Sequence, residues 1–272
     1  MEHQEHVDAE AEEKSAPSAH VVYEAIRREG RHELERQSSS LAWSGLAAGL
    51  SMGFSLITEG LLRAHLPDTP WRLLITKFGY SLGFLIVVLG RQQLFTENTL
   101  TPILPLLKKK SWDVFGNVMR LWLVVFIANI LGSLAIGWAV ASTNAFDEHT
   151  RNVFFEIGKE AMAPGFAAIF VRGIFAGWLI ALMVWLMPFA ETSRLWVIIG
   201  VTYLVGLGGF AHIVAGAVAA SAAAAAGEAS VAAVVLGWGL PCLIGNVVGG
   251  VVLVALLNHA QVTGGSEGDG DL

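Results

Sequence analysis

Six long apolar runs are the feature that most limits what this chain can fold into. Each approaches or exceeds the roughly 20 residues that a helix needs to cross a hydrocarbon core. Of the 272 residues, 54% are hydrophobic and only 15% are charged, which is far from the composition of a soluble domain. The sequence therefore predicts an all-α integral membrane protein with six transmembrane helices.

Two of the six runs are interrupted. A polar decapeptide, Gly90–Thr99, interrupts the second run, and the glycine-rich segment Gly206–His212 interrupts the fifth. Lipid offers no partners to free backbone groups, so a broken helix persists in a membrane only inside protein or along a cavity. Matching breaks in two halves of a chain are typical of a transport site near the midplane. We therefore predict two inverted three-helix repeats with broken second and fifth helices.

The apolar runs divide the chain into three parts. Residues 1–37 are expected to form an acidic tail and a surface helix, which we place from Ser18 to Gln37. The transmembrane domain is expected at residues 38–258, and a second acidic tail at residues 259–272. Lys and Arg concentrate in the N-terminal helix and in Lys108–Lys110, which favours cytoplasmic termini. The formal charge of −6 arises mainly in the tails, and nothing indicates nucleic-acid binding.

Several local patterns lead to further expectations. Ser38–Ser40 are expected to cap the first membrane helix. Glycines at 45, 49 and 53 lie on one face of that helix and favour close approach by a neighbour. The polar stretch 142–159 is interpreted as a connection, and the sixth span is placed at residues 240–258. Four charged residues near helix ends are expected to extend towards the membrane surface: Glu59, Lys77, Arg120 and Arg172.

Four short motifs in the right order resemble the formate/nitrite transporter family from about residue 37 to residue 258. The motifs are Leu94-Phe95-Thr96 after a polar turn, Arg172 to Leu179 in the fourth span, Gly209-Phe210-Ala211-His212 in the fifth, and Gly245 to Gly250 in the sixth. The resemblance is greatest to a subgroup with a long N-terminal extension. It implies an aquaporin-like, multi-pass protomer in the bacterial inner membrane. It also implies assembly as a homopentamer, with one pore for a small monovalent anion in each protomer.

The resemblance assigns residues to that pore. Thr96 matches the threonine of the family's loop in the second span, and His212 matches the central histidine. The expected pathway and its hydrophobic gates also include Tyr80, Phe84, Leu94, Phe95, Ile180, Val205 and Phe210. A second group, expected to act as a structural clamp or in selectivity, comprises Arg91, Gln92, Gln93, Glu97 and Asn98. Arg91 and Glu97 are expected to pair with each other or with the polar ends of the loop.

A histidine at a narrow apolar constriction suggests how an anion could pass. Burying an unpaired charge is strongly unfavourable, and an imidazole with a reference pKa of about 6.5 can exchange protons near neutral pH. We expect His212 to protonate the anion, so that the neutral acid crosses the gate, and Thr96 to orient the substrate or the histidine.

Two other functions remain open from the sequence. Gly177, Ala211 and Gly216 replace polar residues of the family, which would suit a wider pore for neutral solutes. Alternatively, the chain could be a non-conducting membrane scaffold that recruits a partner through its acidic tail and surface helix. The sequence contains no metal-ligand cluster, phosphate loop or nucleophile elbow, so we expect neither a cofactor nor an enzyme.

Overall fold

The computed structural model describes residues 17–265, and all regular secondary structure within them is helical. Most of the two predicted acidic tails, residues 1–16 and 266–272, lies outside the described residues. The first helix, α1, spans Ala19–Glu35 and begins where the Ser18 hydroxyl accepts a hydrogen bond from the Val21 N–H. The fold is thus all-α, as the sequence predicts.

Ten more helices follow α1 within the described residues. They are α2 (Ser38–His65), α3 (Arg72–Leu89), α4 (Ile103–Lys109), α5 (Trp112–Ser142), α6 (Glu148–Met162), α7 (Phe166–Leu186), α8 (Arg194–Leu207), α9 (Ile213–Ala225), α10 (Leu240–Gly250) and α11 (Leu257–Gly265). Short 3₁₀ turns lie at Glu97–Thr99 and Met187–Phe189, and π-helical segments at Ala233–Gly239 and Val251–Leu256 flank α10. Five helical segments of this part of the chain are long and apolar enough to span a membrane: α2, α3, α5, α7 with its 3₁₀ turn, and the continuous run Ala233–Gly264.

Three local expectations differ from the structure. Ser38–Ser40 lie inside α2, and its N-cap residue Gln37 makes no side-chain capping bond. The polar stretch after α5 is not only a connection, because α6 begins after Asp147, whose carboxylate accepts the Thr150 N–H at 3.0 Å. The last apolar segment is helical from Ala233, earlier than expected, because its π-helical turns continue directly into α10.

Glycines allow two helix pairs to approach closely. A Cβ at Gly49 of α2 would collide with the backbone of Asn129 in α5, and a Cβ at Gly249 of α10 would collide with the Ile174 carbonyl in α7. The prediction that the glycine face of the first membrane helix packs on a neighbour is confirmed. Pairs α2–α5 and α7–α10 thereby form two close-packed units, and α3 packs against α8 between them.

α1 packs on the protein with its apolar side. Tyr23, Ile26 and Leu34 are buried, so this face contacts protein rather than being available to lipid. The Arg120 guanidinium of α5 donates to the Leu34 carbonyl at 2.8 Å, which ties the end of α1 to the helical bundle. The backbone of Gly30 lies directly against the Thr101 carbonyl, so α1 covers the segment between α3 and α4.

Candidate functional site

The segments at the two sequence interruptions begin with the same backbone turn. We call residues 90–102, between α3 and α4, the first loop, and residues 208–212, between α8 and α9, the second loop. Arg91 (φ 50°) and Gly209 (φ 59°) both have left-handed backbone conformations. In each case the following amide donates to the carbonyl five residues earlier, at 2.9 Å and 3.0 Å, as in a Schellman cap. Glycine adopts this conformation freely, whereas an L side chain there is unfavourable by roughly 1–2 kcal/mol.

A buried asparagine of α5 holds the first loop in place. Asn129 Nδ2 donates to the carbonyls of Gly45 at 2.7 Å and Gln93 at 2.9 Å. Its Oδ1 accepts the Phe95 N–H at 2.8 Å. The side chain thus satisfies three backbone groups that water cannot reach, because Asn129 is completely buried.

A second asparagine, on α10, does the same for the second loop. Asn246 Nδ2 donates to the carbonyls of Gly173 at 2.9 Å and Ala211 at 2.7 Å, and its Oδ1 accepts the Ile213 N–H at 2.8 Å. Asn246 therefore bonds across helices. Asn129 was not singled out from the sequence, although an asparagine in the middle of the third apolar run, matching one in the sixth, was a usable signal.

The two loops bring Thr96 and His212 into contact. Thr96 Oγ1 lies 2.7 Å from His212 Nε2, and both residues are almost completely buried. His212 Nδ1 accepts the Ala215 N–H at 3.1 Å, at the start of α9. Because Nδ1 is an acceptor, the proton of the neutral ring is on Nε2 and is donated to Thr96 Oγ1. The Thr96 hydroxyl proton is then free to be donated elsewhere.

Two cavities extend into the protein towards this pair from different ends of α3. The α1-side cavity, of about 630 Å³, is bounded by α1, the first loop and the junction of α7 and α8. The α6-side cavity, of about 260 Å³, is bounded by α6, the second loop and the first half of α3. His212 lines the α6-side cavity, whereas Thr96 lines neither.

An apolar barrier separates the cavities. Phe84, Leu94 and Ile180 are completely buried and line neither cavity, and the ring of Phe84 meets His212 edge-on with centroids 4.9 Å apart. Along α3, Tyr80 lines one cavity and Val88 the other. These two residues are eight positions apart in the helix, so the closed stretch is about 12 Å long.

The structure distributes the other predicted site residues between the cavities. Tyr80, Val205 and Phe210 line the α6-side cavity. The α1-side cavity is lined by Arg91, Gln92, Gln93, Glu97 and Asn98. Phe95 lines neither, because its ring packs on Trp122 and Phe126 of α5, with centroids 5.8 Å and 5.1 Å apart.

The expected pairing of Arg91 with Glu97 is wrong. Arg91 is 76% exposed and its guanidinium lies 3.9 Å from the Glu29 carboxylate of α1. Glu97 has no ion pair, and its Oε1 is buried without a hydrogen-bond partner among the described residues. Polar groups of the loop interact with α1 instead: the Gln93 amide donates to Glu33 at 2.9 Å.

Three of the four carboxylate, ammonium and guanidinium groups that line the α6-side cavity form ion pairs. Glu59 of α2 and Lys77 of α3 form a largely buried ion pair, so neither extends towards the membrane surface as expected. On α6, Glu160 pairs with Arg63 at 2.7 Å, and this hydrogen-bonded guanidinium lowers the pKa of the Glu160 carboxyl. Arg172 also lines this cavity and has no ion pair among residues 17–265.

The space beside two glycines that were expected to widen the pore is occupied by neighbouring helices. A Cβ at Gly177 would collide with the backbone of Asn246, and one at Gly216 would collide with the ring of Trp238. The small size of both glycines admits a neighbouring helix. Gly177 lines neither cavity, so the argument that it enlarges the lumen is wrong, whereas Gly216 also lines the α6-side cavity.

Helices that can span a membrane, two matched loops and cavities on both sides of a buried polar pair define a membrane channel or transporter. The family model for formate/nitrite transporters matches residues 20–260, and this chain belongs to the formate/nitrite transporter family. The resemblance inferred from its motifs is therefore confirmed.

Individual relatives agree with this assignment. The inner membrane protein YfdC of Escherichia coli (strain K12) is 40% identical, over 96% of this chain and 88% of the relative. A solved structure described as a pentameric formate channel with formate bound superposes with a TM-score of 0.70 at 22% identity, covering 83% of this chain and 98% of that one. An ion channel of the same family gives 0.77 at 17% identity, covering 88% and 98%. These structural matches establish the shared fold.

Proposed function

We propose that this protein transports small monovalent anions, of the size of formate or nitrite, through a pore in each protomer. The observation that carries the proposal is the buried contact between Thr96 Oγ1 and His212 Nε2, set between two cavities that approach it from different ends of α3. Polar residues inside a membrane domain are unfavourable unless they serve a substrate path or a partner. Membership of the formate/nitrite transporter family and the formate channels among its relatives support the substrate class.

The proposed architecture consists of two inverted three-helix halves with broken second and fifth membrane helices. The supporting evidence is local: both loops begin with a left-handed residue, and one asparagine per half bonds the loop in the same pattern. In this arrangement Leu94 of the first loop is the counterpart of His212 in the second. We further propose a transmembrane domain at residues 38–258 with cytoplasmic termini, and a homopentamer in the inner membrane, like the pentameric formate channel with a similar fold.

The hydrogen bonds of His212 define what the pair can do for an anion. In the neutral state the Nε2–H is donated to Thr96, whose own hydroxyl can then donate to an anion at the constriction. A second proton on the ring must sit on Nδ1, which at present accepts the Ala215 N–H. Protonation therefore requires the ring to leave this cap. The imidazolium then gives its Nε2 proton to the anion, forming a neutral acid and a neutral imidazole, and the acid crosses the barrier of Phe84, Leu94 and Ile180.

Transport by purified protein in proteoliposomes tests this proposal. Thr96→Val keeps the shape but removes the hydroxyl, and Thr96→Ser keeps the hydroxyl. Loss of one such hydrogen bond raises the barrier by about 1–3 kcal/mol, or roughly 5- to 160-fold in rate. We therefore expect formate or nitrite flux to fall by this factor in Thr96→Val and to be largely retained in Thr96→Ser.

The histidine variants give the second part of the test. His212→Ala should abolish anion flux and its rise at acid pH, whereas His149→Ala, at an exposed histidine of α6 that lines neither cavity, should have no effect. Oligomers of unchanged size on gel filtration are the control for folding. Anion flux that persists unchanged in His212→Ala would refute the proposal, and flux of urea or glycerol insensitive to this change would favour a pore for neutral solutes. No transport of any tested solute would favour the scaffold.

A further inference from the structure

Three consecutive lysines lie where α4 ends and the long helix α5 begins. Lys108 and Lys109 belong to the last turn of α4, and Lys110 is its C-cap residue. All three are exposed. α5 begins two residues after Lys110, and the Ser111 hydroxyl caps it by accepting the Val114 N–H at 3.3 Å. The short connection therefore holds the three lysines at this end of α5.

The length of α5 places this end of the helix among the lipid headgroups. α5 is one of the helices that are long and apolar enough to span a membrane. Its 31 residues correspond to about 46 Å at a rise of about 1.5 Å per residue. A bilayer is about 40–45 Å thick when its headgroups are included. The helix therefore reaches from one headgroup region to the other, and the lysines before its first residue lie at the membrane surface.

Two exposed aromatic residues follow the lysines directly. Trp112 is 86% exposed and Phe115 is 41% exposed, and their rings meet edge to face with centroids 5.8 Å apart. Tryptophan is enriched at the headgroup level of membranes, where one end of its ring is in an apolar environment and the other is in a polar one. Beside the basic groups the protein therefore presents an apolar surface, which matches a ligand that has both a charged and an apolar part.

The positive charges of the three lysines are not neutralised within residues 17–265, where none of them forms an ion pair. Lys108 lies near enough to Glu24 of α1 to influence it, but this carboxylate already pairs with Arg27 at 2.6 Å and Arg28 at 3.0 Å. Asp113, in the first turn of α5, is exposed. Five cationic groups thus outnumber two carboxylates in this region, which favours an anionic partner.

The stability of α4 accounts for only part of this arrangement. Positive charges in the last turn of a helix interact favourably with the helix dipole, which explains Lys108 and Lys109. Lys110, however, has a left-handed backbone conformation, with φ 46°. Glycine usually occupies this position at a helix end, because the conformation is unfavourable for an L side chain. A lysine here weakens the local structure, so its charge is better explained by a bound partner.

We propose that Lys108–Lys110, Trp112 and Phe115 form a binding site for an anionic phospholipid. The lysines hold the phosphate of the headgroup, and the aromatic pair lies against the beginning of the acyl chains. None of these residues lines either cavity, so the site is separate from the proposed transport path. Because α4 follows the first loop directly, a lipid bound here fixes the end of the segment that carries Thr96.

Native mass spectrometry of the full-length protein in detergent tests this site. The anionic probe is phosphatidylglycerol, and the control is zwitterionic phosphatidylcholine with the same acyl chains. We expect phosphatidylglycerol to bind at least tenfold more tightly, and its binding to weaken as salt is raised, because salt screens exposed charges. Equal binding of the two lipids would overturn the proposal, and is the result expected if the acidic residues 1–16 neutralised the lysines. Displacement of the lipid by equimolar inorganic phosphate would also overturn it, since the site would then recognise a free anion.

Variants assign the two parts of the lipid to the protein. Lys109→Gln should weaken phosphatidylglycerol binding about fivefold, whereas Lys109→Arg should retain it. The matched control is Lys159→Gln, at an exposed lysine of α6, which should leave binding unchanged. A triple variant with Lys108→Gln, Lys109→Gln and Lys110→Gly keeps the left-handed turn and should lose the preference for phosphatidylglycerol. Trp112→Ala should weaken the binding of both lipids, because it removes apolar contact without changing charge. An unchanged lipid preference in the triple variant would contradict the assignment, provided that gel filtration shows an unaltered oligomer. The assay measures no transport, so its outcome is independent of anion flux.

Discussion

Replacing Asn129 with alanine tests whether one side chain holds the first loop in its pore-forming shape. The change removes three hydrogen bonds, of 2.7, 2.8 and 2.9 Å, at a completely buried position. Such bonds contribute roughly 0.6 kcal/mol each on average in membranes, so the loss of all three lowers the free energy of unfolding by about 2 kcal/mol. It approaches about 6 kcal/mol if the freed carbonyls of Gly45 and Gln93 and the N–H of Phe95 find no new partners. We expect a loss of stability within this range.

The free energy of unfolding in mixed micelles of a mild detergent and dodecyl sulfate measures this effect. Asn246→Ala should produce a loss of similar size, because its three bonds have the same pattern. Asn258→Ala is the matched control, since the Asn258 Nδ2 is buried without a partner among residues 17–265 and its removal should be neutral or slightly stabilising. A loss below about 1 kcal/mol in Asn129→Ala would refute the reasoning. So would an equal loss in Asn258→Ala.

Substitutions at two other positions test backbone constraints near the α1-side cavity. Arg91→Gly should be at least as stable as the unaltered protein, because glycine accepts the left-handed turn freely. Arg91→Val should be less stable than Arg91→Gly by about 1–2 kcal/mol in the same unfolding assay, and equal stability of the two variants would contradict a strained backbone. Gly30→Ala should displace α1, because the new Cβ would collide with the Thr101 carbonyl. Trypsin should then cut α1 several-fold faster than it does in the control Gly116→Ala, where the new Cβ meets nothing within 4 Å. Identical cleavage rates would show that α1 accommodates the methyl group in place.

Much of the helical architecture was predictable because the signals are local. Apolar length alone located the five segments that are long enough to span a membrane, and glycine spacing correctly indicated that Gly49 meets a neighbouring helix. Local signals failed where a tertiary contact decided the outcome. Ser38–Ser40 continue into a helix that needs no side-chain cap, and the charged Glu59 is buried because Lys77 of the next helix lies beside it.

The candidate site was predictable only in part. Its two central residues were found through family motifs, and their roles in transport remain a proposal tested by the flux experiments. Gly177 was misinterpreted, because a sequence does not reveal whether a missing side chain opens space or admits another helix. The pairing of Arg91 with Glu29 was missed because a residue near in sequence, Glu97, was the more obvious partner.

By itself the sequence determined the class of this protein: a helical membrane protein, interrupted at Gly90–Thr99 and Gly206–His212. Those properties depend on how many consecutive residues are apolar and where polar residues break the run, which can be counted along one chain. The tertiary structure decided which groups meet: Thr96 with His212, and Asn129 with the first loop. These contacts join residues far apart in sequence, so their distances arise only when the helices pack.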